Sequence, residues 1–103
     1  MPDSELVIVA RITAKPGHAP DLRAELIKLI EPSRQDPGCL QYDLHQSREH
    51  PETFLFYERW TAHELWEAHM NTPHLNSFRA AAEPFLKELD LLQMDHVPPS
   101  IGE

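Results

Sequence analysis

Two stretches of this chain carry apolar side chains on both faces of a β-strand, and this narrows the possible architectures more than any other feature. Leu6-Val7-Ile8-Val9-Ala10-Arg11-Ile12-Thr13 is β-branched and stops before the turn pair Pro16-Gly17, so it reads as a strand. Thr53-Phe54-Leu55-Phe56-Tyr57-Glu58-Arg59-Trp60 reads as a second. With period-two alternation, Val7, Val9, Leu55 and Tyr57 share one side, while Ile8, Ala10, Phe54, Phe56 and Trp60 share the other. Such a sheet needs a cover on each face. Helices of the same chain can supply one, and the sheet of a second copy is the economical second, which predicts a homodimer.

The rest of the chain supplies those helices. Leu22, Leu26, Ile27, Leu29 and Ile30 recur at helical spacing, with Pro20 and Asp21 suited to a first turn and Pro32 expected to end or kink the helix. Asp36-Pro37-Gly38 is a turn before Cys39 to His45, where Leu40, Tyr42 and Leu44 alternate with polar residues as in a strand. Thr61 and Glu64 have capping-box spacing, so a helix is expected to start there. Thr72 and Pro73 look like a fresh N-cap and first position, which predicts a break near Asn71 and a further helical segment that Pro84 closes. Leu89 to Val97 can form a last strand, and Pro98 to Glu103 reads as a loose tail. Strand, helix, strand, strand, helix, strand with right-handed crossovers gives an α+β, ferredoxin-like, four-stranded antiparallel sheet with the helices on one face. One domain over residues 1–103, with its core at about 5–97, is expected.

Charge and glycine content exclude several function classes. Nine Lys and Arg against 17 Asp and Glu leave a formal charge of −8, a poor match for nucleic acid or an anionic membrane surface. No stretch is long and apolar enough to span a bilayer, and Met1 to Thr13 lacks a basic leader, so a cytoplasmic location is expected. The single Cys39 suits that reducing setting. Only Gly17, Gly38 and Gly102 occur, so no glycine-rich loop can cradle a nucleotide phosphate.

Among seven histidines, His69 stands out, because Ala62, Leu65, Trp66 and His69 fall on one apolar helical stripe. On these grounds it is a core histidine or the one ionisable group of a pocket. The histidine pairs 63/69 and 69/74 do not have the spacing that chelates a metal from one helix, and no metal or other cofactor is expected. The rings of Tyr42, Phe54, Phe56, Trp60, Trp66 and Phe78 can form plain core or line a pocket for a flat aromatic ligand.

Four segments in order, LVIVARITAKPG (Leu6 to Gly17), DPGCL (Asp36 to Leu40), ERW (Glu58 to Trp60) and EAHMNTPHLNSF (Glu67 to Phe78), resemble the antibiotic biosynthesis monooxygenase (ABM) domain family, particularly its small quinol monooxygenase members. The resemblance implies a dimeric α+β barrel with one pocket per subunit and a cofactor-independent oxygenation of a small aromatic quinol or phenol by molecular oxygen. It assigns catalysis to His69 and Trp60, and substrate contact to Ala10, Tyr42, Asp43, Phe56, Trp66 and Phe78. Phe56 and Trp66 replace the Asn and Tyr of the polyketide quinone-forming members. Ala10, His69 and Arg79 replace the Asn, Trp and haem-ligating His of haem-degrading ones, so no haem is implied. The chain is also similar, around Tyr42-Asp43 and His69 to His74, to the isomerase that processes phosphorylated autoinducer-2, in which Asp43 and His69 would be an acid and base pair. A third reading is a non-catalytic dimeric ligand-binding module.

Overall fold

The computed structural model describes residues 5–99; Met1–Ser4 and the last four residues of the expected tail lie outside the described residues. The order is β1 (Leu6–Ala14), α1 (Ala19–Arg34), β2 (Cys39–Gln46), β3 (Thr53–Trp60), α2 (His63–Met70), α3 (Pro73–Ala82), a 3₁₀ turn (Glu83–Phe85) and β4 (Leu86–Asp95). All pairings are antiparallel, in the sheet order β2-β3-β1-β4. This is the ferredoxin-like α+β arrangement expected from the pattern.

Register explains the layers. Ile8, Ala10 and Ile12 lie opposite Glu58, Phe56 and Phe54, and on β2 Tyr42 lies opposite Glu58. These face the helices and form one buried cluster with Leu22, Leu26 and Leu29 of α1, Trp66 of α2, and Leu75, Phe78 and Ala82 of α3. The opposite face carries Val7, Val9, Leu55 and Tyr57, extended by Leu92 and Met94 of β4, which pair with Val9 and Val7. Leu92 and Met94 are exposed.

Three local expectations change. Pro32 sits inside α1, which continues to Arg34; the one hydrogen bond its missing N–H forfeits falls in the last turn, where only two helical residues follow. The helix then closes with Gln35 and Asp36 donating their N–H groups to the carbonyls of Pro32 and Ser33. No capping box forms at Thr61; Ala62 is the N-cap of α2, and the Thr61 N–H donates instead to the Gly38 carbonyl at 2.9 Å. The last strand covers Leu86–Asp95, starting three residues earlier than expected and stopping before Val97. Its added first residue, Leu86, pairs with Ala14 across a register shift.

Gly38 has φ +85°, which glycine adopts without strain, and a β-carbon there would lie 2.5 Å from Leu65 Cδ1 and 2.8 Å from Leu65 Cβ. The missing side chain thus lets the Asp36–Cys39 turn pack directly on the start of α2.

Candidate active site

That turn presents Asp36 to two histidines. His69 occupies the last turn of α2, the chain breaks at Asn71, and α3 begins at Pro73 with Thr72 as its N-cap. The Thr72 hydroxyl fixes the break, donating to the His69 carbonyl at 2.7 Å and accepting from the Leu75 N–H. Because the helix is interrupted, His69 Nδ1 and His74 Nε2 both reach Asp36 Oδ2, each at 2.8 Å.

A carboxylate only accepts hydrogen bonds, so both ring nitrogens donate to it and the lone pair of His69 is placed on Nε2. Burial is the largest influence on His69 and holds it below the ordinary imidazole range; Asp36 opposes this. The result is an oriented neutral base with 2% of its surface exposed.

His69 lines a cavity of about 60 Å³ between the sheet and the helices. Ala10, Tyr42, Phe56 and Phe78 line it too, so the structure brings five of the expected site residues together. Trp60, fully buried, stands beside this group with its ring centroid 4.6 Å from that of His69. The cavity is smaller than the roughly 150 Å³ apolar void that admits benzene in an engineered core. A ring therefore enters only when side chains at its border shift, and Leu89 and Leu91, both exposed on the edge strand β4, are placed to do so. A roomier hollow of about 640 Å³ is bordered by the ionisable residues Glu5, Arg59, Asp95 and His96, and its Arg59 is already engaged by Glu5.

Two expected residues lie elsewhere. Asp43 pairs with Tyr57 on the opposite sheet face, where it accepts from Arg34 at 2.9 Å and Gln41 at 2.7 Å. The side chain that meets His69 is Asp36, so the Asp43–His69 acid and base pair does not form. Trp66 is buried near His63, outside the cavity lining, and its indole N–H has no partner among the described residues.

Glu58 is a site residue outside the expected set. It alternates with Phe56 and Trp60 and therefore faces the helices, 4% exposed, on the cavity wall. Its Oε1 accepts from Trp60 Nε1 at 2.9 Å. Burial without a cationic partner pushes its carboxyl up to about 7. The same burial, together with the Glu58 charge, pushes the Tyr42 hydroxyl up.

The spacing argument against metal chelation does not hold in three dimensions, since Asp36, His69 and His74 place donor atoms within 4.8 Å of one another. Their geometry is nevertheless that of a proton-holding cluster, with two N–H groups aimed at a single oxygen.

The sequence profile described as antibiotic biosynthesis monooxygenase matches residues 6–81. A Mycobacterium tuberculosis protein named putative monooxygenase Rv0793 is 35% identical over 75% of this chain and 75% of its own length. The uncharacterised Synechocystis protein sll1783 is 32% identical over 74% of the chain, which spans only 52% of that relative. Among solved structures, the Pseudomonas aeruginosa protein PA3566 superposes with a TM-score of 0.88 at 40% identity, covering 92% of this chain and 96% of that one.

Proposed function

Because the chain belongs to the antibiotic biosynthesis monooxygenase family, we propose that it oxygenates a small aromatic quinol or phenol without a cofactor. The observation that carries this reading is the Asp36-oriented His69 facing a ring-lined cavity. In such a reaction the substrate anion itself reduces oxygen, so the protein has to bind the ring, remove the hydroxyl proton and exclude water. His69 Nε2 is the base, Phe56, Phe78 and Tyr42 hold the ring, and Trp60 packs against the imidazole. Asp43 and Trp66 have no part in it.

A phosphorylated isomerase substrate fits less well. Among the described residues Arg79 is the one cation on the cavity wall, and its guanidinium already donates to Asn76 at 2.8 Å and to the Met70 carbonyl at 2.6 Å. The deciding experiment is oxygen uptake with a panel of dihydroquinones and phenols, run beside phosphorylated ketoses followed by NMR. Oxygen consumption with a quinol is expected. Rearrangement of a ketose without oxygen would replace this reading with the isomerase, and silence in both with a binding module.

The reading includes a homodimer, supported by the apolar face of Val7, Val9, Leu55, Tyr57, Leu92 and Met94, which no helix covers among the described residues. Light scattering at micromolar concentration should give twice the chain mass of 11.9 kDa; a single chain mass would refute it. A cytoplasmic location belongs to the same proposal. No helix among the described residues is long and apolar enough to cross a membrane.

A further inference from the structure

We propose that Glu58 and His69 form a two-group proton-transfer site that interconverts the keto and enol forms of a small ketone with a benzylic carbon beside its carbonyl, without oxygen. This goes beyond oxygenation but rests on the same cavity. The base and the acid line one apolar space, and a single residue positions both: the Trp60 ring packs on His69 while its N–H holds Glu58 Oε1. No hydrogen bond joins the two groups to each other among the described contacts, so each has an atom left for a ligand.

The charged and titratable groups around Glu58 are Tyr42 and Cys39 on β2, His69 on α2, Arg79 on α3, and Asp36 in the turn before β2. Among the described residues none of them donates a hydrogen bond to Glu58; Trp60 alone does. A carboxyl so placed is held largely as the neutral acid below about pH 7, which is the form that can donate a proton.

The step balances without a co-reactant. His69 Nε2 takes a proton from the carbon beside the carbonyl, that C–H electron pair becomes the C=C bond, and the carbonyl oxygen takes the Glu58 proton to become the enol hydroxyl. A proton then returns from imidazolium to carboxylate through water, and the net change is isomerisation.

The test is hydrogen–deuterium exchange at the benzylic carbons of 2-indanone in D₂O under nitrogen, followed by proton NMR. Wild type should accelerate exchange over buffer, and Glu58→Gln and His69→Gln should each slow it roughly 100-fold or more, as loss of a general acid or base does. If Glu58→Gln does not fold, the wild-type profile serves instead, with exchange falling above about pH 7 as the acid ionises. Absence of acceleration in the wild type, wild-type exchange in folded Glu58→Gln, or a rate that keeps rising above pH 7 would overturn the proposal. Failure of the oxygenase reading is read separately: exchange under nitrogen without quinol-dependent oxygen uptake in air sinks that reading and sustains this one.

Discussion

Glu58→Gln should be more stable than wild type at pH 8 by about 3 kcal/mol and nearly equal to it at pH 5. The folded carboxyl is raised to about 7 from an unfolded value of 4.5. Between those values the folded state holds the proton that the unfolded chain has released, so stability is fully present below about pH 4.5 and is lost as pH rises through 7. A difference of about 2.5 units at 1.36 kcal/mol each gives roughly 3 kcal/mol, a sizeable share of the 5–15 kcal/mol that domains possess. Glutamine keeps an oxygen for the Trp60 N–H and never ionises. His69 works in the opposite sense: its folded value is lowered, so its contribution is present above about 6.5 and is lost as pH falls. Urea unfolding of both proteins at pH 5 and 8, at fixed protomer concentration, measures the effect. The same offset between the proteins at both pH values would mean that Glu58 is not a buried acid.

Strand alternation made most of the fold legible, because burial on the helix side demands it residue by residue. β3 shows this best, since Phe54, Phe56, Glu58 and Trp60 are all buried and the residues between them are not. β4 was harder to place because it is an edge strand in which Lys87, Glu88, Asp90 and Asp95 interrupt any apolar rhythm. Its start is set by Leu86 reaching back to Ala14, a contact that no local pattern encodes.

The site was legible in part for the same reason. His69 and the rings of Tyr42, Phe56 and Phe78 announce themselves by periodicity. Glu58 carries that signal too, two residues from Phe56 and two from Trp60, because the alternation runs through a charged residue as well as through apolar ones. Asp36 could not be read this way. It lies 33 residues from His69, in a turn whose position depends on Gly38 packing against Leu65. The convergence of His69 and His74 likewise depends on the direction the chain takes after Asn71, not on their spacing along one helix. Asp43 enters the expected site through the family resemblance around Tyr42-Asp43, but neighbours on a strand point to opposite faces, and of the two only Tyr42 lines the cavity.

His69→Gln and His69→Ala should leave a folded protein that still binds ring ligands and has lost roughly 10²- to 10⁴-fold in turnover, the range that removal of a positioned general base produces. Glutamine matters as the control, because it can donate an N–H to Asp36 yet has no nitrogen lone pair to accept a proton. Alanine also removes one of the two N–H donors to Asp36 and opens a void beside the Trp60 ring, so it should lose thermal stability as well as activity. A histidine that serves only packing predicts the reverse pattern, with turnover per folded molecule intact and stability reduced in both variants. The two are separated by measuring quinol-dependent oxygen uptake, quenching of tryptophan fluorescence by the bound quinol, and melting temperature on the same preparations. Trp60 touches His69 and Trp66 lies outside the cavity, so quenching that survives in His69→Gln and vanishes in Trp60→Phe identifies Trp60 as the reporter of binding. Wild-type turnover in either folded variant would remove His69 from the mechanism, and with it the role of Asp36 as the group that sets the tautomer.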